Sequence, residues 1–496
     1  MKNFNYLWLA GGLFLLGSCS SEAPIGGEPN IPESEDGYFM KVAFNMPAGT
    51  RSATDQYDTQ IENAAFLFYD VNGTYYATRY IGNKTAGEQD SDNINWVAAT
   101  DHPADKCAVI KLTKVPQYVV CVVNANKDRT FGSGIDGNTV TTVAKTGTNH
   151  LFMSSQTYYT GNNNSTTSYK SVIDIEKMIK TTQAAAEAAQ GDEALIINVE
   201  PICAKVGVTK DENFKATPTA KNQFDEGVTI TFTPEVVGLT GWNTQGYTIK
   251  KLPAYSGVSD ALKNWNGFLD EDTGVSGWVG ATTGSVDYHS LDQMFENDAL
   301  KTNLRYAGAF GTQFFYPFEN WSDDAVGRTN LFVLGKYTLP EGMAAADGTF
   351  YLLGVGDKFT IYKDEKELIT KMGGDPEKDT LVEDCTTAGN HKTWTGWMKL
   401  STTNSAFKCV KYNGGYGYYA HEILRVKELN EAAIVRNTWY KLNVKTIEGM
   451  GVGIPEKDTP IIPVTPPDPN QQTYYMHIAV DVQPWVELSK YDVEWK

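Results

Sequence analysis

A chain of 496 residues has length enough for two to four domains, with two or three expected. Its composition, 41% hydrophobic, 12% aromatic and 21% charged, is that of a globular protein, and 27 Tyr with 45 Gly lean towards β structure. A formal charge of −18 without any basic block argues against nucleic acid or an anionic membrane surface as partner. Three basic and five acidic residues fall in 1–51, so the remainder still carries −16, which suits a solvent-facing protein outside the cell.

Lys2 followed by the apolar run Tyr6–Leu16 is a processing segment, and that run is short for a bilayer span. It ends in LGSCSS. Leu16 stands three residues before Cys19 with small Gly17 and Ser18 between, the spacing of a lipobox. Residues 1–18 are therefore expected to be a lipoprotein signal peptide and Cys19 the lipid-bearing residue, a palmitate-type anchor. No second apolar run of membrane-spanning length follows, so the rest is expected to be exported and soluble, touching membrane only through the precursor lipid. Gly26–Gly37 (GGEPNIPESEDG) reads as a flexible polar tether.

The first strand follows. Tyr38, Met40, Val42, Phe44 and Met46 alternate with Phe39, Lys41, Ala43 and Asn45, giving one clearly apolar face. Pro47 to Arg51 breaks it, and Ala48–Tyr57 is a small polar stretch of the kind proteases favour. NAAFLFYDVNGTYYATRYI predicts a hairpin around Asn72-Gly73. CAVIKLTKVPQYVVCVVNAN, ALIINVEPICAKVGVTK and GVTITFTPEVVGL supply further strands up to about residue 250. One helix is expected among them, capped by Asp174, running through IEKMIKTTQAAAEAAQ and stopped by Gly191.

The second half is again strand-rich, with RTNLFVLGKYTL, GTFYLLGVGDKFTIY and RNTWYKLNVKTI its clearest strands. Thr459–Gln472 (TPIIPVTPPDPNQQ) holds five prolines and is expected to be extended and stiff. The strand-like YYMHIAVDVQPW, Tyr474 to Trp485, comes after it. Its Tyr474, Met476, Ile478, Val480 and Val482 alternate as the first strand's apolar face does, and both stretches share an aromatic, a Met, a basic residue and an Ala in the same places.

Chemistry-bearing motifs are sparse. Cys107, Cys121 and Cys203 lie inside apolar strand-like runs, and the five cysteines after Cys19 have no CxxC spacing, so buried thiols are expected rather than a disulfide framework or zinc ribbon. His421 in HEILR lacks the second His of a zinc-protease helix. No nucleophile elbow, phosphate loop or dinucleotide fingerprint appears, and no carboxylate pair stands out among 60 acids. The expectation is a non-enzyme with no cofactor and no metal. A monomeric lipoprotein using loop Trp and Tyr as sugar platforms is the alternative from another class.

The lipobox, MPAGTR, HLFMSS (His150–Ser155), VEPICAKV (Val199–Val206), RTNLFVLGKYT (Arg328–Thr338), VRNTWYKLNVKTI (Val435–Ile447) and the Pro-rich spacer with VDVQPW occur in that order. Together they resemble the Bacteroidetes-type fimbrillins of type V pili, in particular the major subunit of the short-fimbria branch. Pro201 is a departure, since the family pattern has Arg there. The resemblance implies two transthyretin-like Greek-key β-sandwich domains, at 52–252 and 253–456, followed by a spacer and donor strand at 457–496. It implies an outer-membrane lipoprotein precursor whose residues 19–51 are a lipidated propeptide, removed by an Arg-specific surface protease between Arg51 and Ser52.

On that resemblance, the strand Tyr38, Met40, Val42, Phe44, Met46 leaves with its lipid. Tyr474, Met476, Ile478, Val480, Val482 and Trp485 of the next copy replace it, in a head-to-tail extracellular fimbria serving adhesion and biofilm formation. Accessory, tip and anchor subunits and host or bacterial surface receptors are the further partners implied. An accessory or tip position for this chain is the alternative within the family.

Overall fold

The computed structural model describes residues 33, 35–45, 61–70, 74–81, 93–97, 106–124, 139–140, 142–144, 147, 150–155, 158–160, 170–172, 175–217, 228, 230–243, 246–248, 286–287, 307–321, 328–355, 358–388, 391–402, 407, 409–426, 431–456 and 476–484. Strands dominate throughout, and the described helices are short.

In the N-terminal part, the strands that matter are β1 (Tyr38–Asn45), β2 (Ala64–Tyr69), β3 (Tyr75–Ile81), β4 (Lys106–Leu112), β5 (Tyr118–Val123), β6 (Met153–Ser155) and β7 (Leu195–Pro201). β2 and β3 form the expected hairpin, closed by Asp70, whose carboxylate and backbone N–H both engage Thr74 at 2.9 Å. Asn72 and Gly73 themselves lie outside the described residues. β4 and β5 are only a short turn apart, yet they join different partners: β4 pairs with β1, and β5 with β2. β7 ties the two layers together. Leu195–Asn198 runs parallel to β1, while Val199–Pro201 runs antiparallel to β6. Between the layers Met40, Val42, Ala108 and Ile110 meet Phe66, Phe68, Val119 and Cys121 in one core, a sandwich.

The single helix expected from Asp174 to Gly191 is two short ones, α1 (Ile175–Met178) and α2 (Gln183–Glu187). Ile179 and Lys180 between them are extended and pair with Met40 and Phe39 of β1. Ile179 is buried in the core, which outweighs local helix propensity, and Thr182 restarts the helix by accepting the Ala185 N–H on its hydroxyl at 3.3 Å.

On the C-terminal side the elements are β8 (Lys205–Thr217), β9 (Thr231–Thr240), β10 (Gln313–Phe315), β11 (Asn330–Thr338), β12 (Phe350–Val355), β13 (Lys358–Tyr362), α3 (Glu365–Lys371), β14 (Cys409–Tyr412), β15 (Tyr416–Glu422), β16 (Thr438–Glu448) and β17 (Met476–Pro484). One sheet has the order β10-β8-β16-β17, and β9, β11 and β15 are neighbours in another. Val206, Val208, Tyr440, Leu442 and Val444 from the first pack on Phe232, Val237, Leu239, Leu331 and Val333 from the second. β12, β13 and β14 belong to a further sheet, flanked by α3. That helix was not foreseen, although its signals are in the sequence: Asp364 accepts the Glu367 N–H at 2.9 Å, and Gly373 follows with φ +85°.

A division at residues 252 and 253 would cut both main C-terminal sheets, because β8 pairs with β16 and β9 with β11. Nothing local in VEPICAKVGV marks a boundary. The partner that claims β8 stands more than 200 residues further along the chain. Four tyrosines, Tyr337, Tyr412, Tyr419 and Tyr440, are buried in this core. Tyr337 and Tyr419 share a hydrogen bond at 2.7 Å, while Tyr412 and Tyr419 donate to the carbonyls of Gly451 and Gly449 at 2.7 and 2.6 Å. Buried phenols thus satisfy a loop that would otherwise strand polar backbone.

Candidate functional site

The first strand is the candidate site, because of where the sheet puts it. β1 is interior: all of Tyr38–Phe44 pairs antiparallel with β4, and Val42–Asn45 pairs parallel with β7. Met40 and Val42 are fully buried in the core, and Tyr38 is half-buried beside them. The opposite face is covered as well. Phe39 packs with Val109 and Ala186, under α2. Lys41 is 5% exposed, and its ammonium donates to the carbonyls of Ala189 at 2.8 Å and Glu187 at 3.2 Å. Alternation foretold one buried face; burial on both, with a sequestered lysine, was not legible. Phe44 is described by its pairing alone, opposite Lys106 and Ile197. Cys19, Met46, Arg51 and Ser52 lie outside the described residues.

The C-terminal strand occupies a different kind of place. Among the described residues β17 ends its sheet, paired antiparallel with β16 on one side. The register sets Ile478 opposite Val444, Val480 opposite Leu442 and Val482 opposite Tyr440, and Met476 opposite Ile447 beyond a bulge. Ile478 is half-buried against the C-terminal core. Tyr474 and Trp485 lie outside the described residues. The structure therefore keeps the two similar strands apart, each on its own sheet.

Three motifs far apart in sequence converge where the two sandwiches meet. Arg436, 3% exposed, makes an ion pair with Glu319 at 2.6 Å and donates to the Ser154 hydroxyl at 3.4 Å. The next residue, Asn437, adopts φ +55°, which Asn tolerates better than most. There its amide N–H reaches the Cys203 carbonyl at 3.0 Å and its side chain donates to Glu200 at 3.5 Å. HLFMSS, VEPICAKV and VRNTWYKLNVKTI are thus one junction. Burial alone would weaken the Arg436 guanidinium's hold on its proton, but Glu319 and then Glu200 more than offset this and hold it above its ordinary value.

Beside the junction, the Lys205 ammonium lies 4.2 Å from the Trp439 ring centre and 4.7 Å from that of Phe314. Gly207 leaves room for this, since a Cβ there would stand 2.9 Å from the Trp439 Nε1. Arg436→Ala should cost about 3–5 kcal/mol, because it strands the partly buried Glu319 carboxylate without its cation. Equilibrium urea unfolding checks this, and adding Glu319→Gln should recover part of the loss.

Cys107, Cys121, Cys203 and Cys409 are buried thiols, and Cys121 and Cys107 are held protonated more firmly than an ordinary thiol because they are desolvated. Among the described residues, no helix is long and apolar enough to cross a membrane.

The architecture is that of an all-β protein built from sandwiched sheets. Residues 411–491, which include β15, β16 and β17, match the family described as major fimbrial subunit protein type IV, fimbrillin, C-terminal. Among solved structures, it is similar to a fimbrilin (fimA) from Porphyromonas gingivalis at 11% identity, over 90% of this chain and 97% of that one, with a TM-score of 0.43. A protein assigned to cell adhesion from Bacteroides eggerthii shares 13% identity over 92% and 98% of the two chains, with a TM-score of 0.38. The tip fimbrial protein Mfa3 of Porphyromonas gingivalis shares 10% over 90% and 99%, with a TM-score of 0.29. No curated protein matches the chain.

Proposed function

We propose that this protein is the major, stalk-forming subunit of a cell-surface fimbria, a structural protein and not an enzyme. It is exported as an outer-membrane lipoprotein lipidated at Cys19, cut between Arg51 and Ser52, and polymerised by strand exchange. Its two transthyretin-like domains divide near residue 203, where β7 gives way to β8. The observation that carries this reading is that β1, the segment ahead of the cleavage point, is an interior strand buried on both faces, and that its sequence is written again in a strand at a sheet edge. Removing an interior strand leaves two open ladders and an apolar trench, which an extended strand from another copy can fill.

The energetics favour the exchange. On β16 the C-terminal strand has one ladder, whereas in the first-strand groove it gains two, each hydrogen bond contributing about 1 kcal/mol net. Ile478 would pass from a half-buried site to that of Val42, which is fully buried. Repetition of a head-to-tail contact gives an open filament. The Pro-rich spacer Thr459–Gln472 supplies the reach. An Arg-specific surface protease and accessory, tip and anchor subunits complete the set of partners, with adhesion a property of the fibre.

A second reading has its own support. β17 is laddered along nine residues to its own domain, as a subunit that caps a fibre and donates nothing would have it. Intact mass and N-terminal sequence of the protein sheared from cells, with an unboiled gel alongside, decide between them. A start at Ser52 and a heat-labile ladder are expected of the stalk subunit. A Ser52 start without a ladder points to the cap, and a lipidated Cys19 start with a monomer band overturns both.

A further inference from the structure

We infer that the α2 side of the first-strand groove is a cation pocket, and that His477 of the incoming strand fills it and thereby sets the strand's register. The inference rests on the strand-exchange reading above. Its basis is Lys41, whose ammonium is sequestered with carbonyl oxygens of Glu187 and Ala189 as acceptors. The Glu187 carbonyl belongs to the last residue of α2 and that of Ala189 lies two residues beyond it, where the helix no longer supplies donors. When residues 1–51 leave, Lys41 leaves too, and the groove, with Val109 and Ala186 on this side and Lys111 beside the place of Phe39, keeps two carbonyls that need a donor.

Aligned by their shared pattern, Met476 and Ile478 take the places of Met40 and Val42 on the core side. Tyr475 and His477 take those of Phe39 and Lys41 on the α2 side. His477 is the one basic residue of the strand Met476–Pro484. A slip of one residue turns the apolar set away from the core. Of the slips by two that keep the faces, one brings Ala479, which has no donor, and the other brings the Tyr475 phenol only by forcing the bulkier Tyr474 into the fully buried place of Met40; a slip of four brings the Asp481 carboxylate, an acceptor against acceptors. One register therefore satisfies both faces. An imidazole donates one hydrogen when neutral and two when charged, so a lysine at this position is an adequate replacement and an aliphatic residue is not.

The test uses the full chain, cut after Arg51, with His477→Leu, His477→Lys and His477→Glu variants assayed for the heat-labile ladder on unboiled gels. Expected are a loss of about tenfold in ladder formation for His477→Leu, a larger loss for His477→Glu, and recovery to the unsubstituted level for His477→Lys. Synthetic peptides spanning Tyr474–Val486, with His, Leu or Lys at position 477, should compete for the groove in the same order, which keeps the test independent of how each variant chain folds. Equal ladders and equal competition from the Leu and Lys forms would overturn the pocket and leave strand exchange standing. Absence of a ladder from the cut, unsubstituted chain would overturn both.

Discussion

A chain carrying Arg51→Ala is expected to accumulate as a lipidated monomer beginning at Cys19, with no ladder on an unboiled gel. β1 sits between β4 and β7, and its Met40 and Val42 are at the centre of the N-terminal core. While it stays covalently attached, the groove is occupied by the chain's own strand at an effective concentration that no second copy matches. Ordinary ladder formation by the Arg51→Ala chain would remove the first strand from the mechanism.

Ile478→Asp should separate assembly from folding. In its own domain Ile478 is half-buried on the last strand of a sheet, where a carboxylate can turn towards water, so a cost of about 1 kcal/mol is expected. In the groove it would take the place of Val42, which is fully buried, and an unpaired carboxylate there costs several kcal/mol. The ladder should therefore vanish, while the thermal midpoint moves by only a few degrees. Scanning calorimetry beside the unboiled gel checks both halves. A large fall in the midpoint would mean that β17 belongs to the C-terminal fold, the arrangement of a capping subunit.

Much of the architecture was legible because strands announce themselves locally. Tyr38–Asn45, the hairpin around Asn72-Gly73, the first half of Lys205–Thr217 and most of Thr438–Glu448 follow from alternation and turn chemistry. The helix after Asp174 failed on the same grounds. Its Ala-rich run has good propensity, but Ile179 is worth more in the core of the sheet than in a helical turn. Lys41 read as the polar side of an alternating strand. Nothing near it in sequence reveals the two carbonyls about 150 residues away that make its burial tolerable.

By itself the sequence determined which segments are strands, which of their faces are apolar, and that one such strand is written at both ends of the chain, because period-two patterning and turn residues act over a few positions. Tertiary structure alone decided that the first copy is an interior strand and the last an edge strand. It alone decided that β4 and β5 part company, that β8 crosses to β16, and that Arg436 finds Glu319 and Ser154. The physical reason is that alternation specifies a buried face but not a partner. Many strands of one chain offer equivalent ladders, and the choice among them is made by how their side chains fill a shared core and by where each buried charge finds its donor or acceptor.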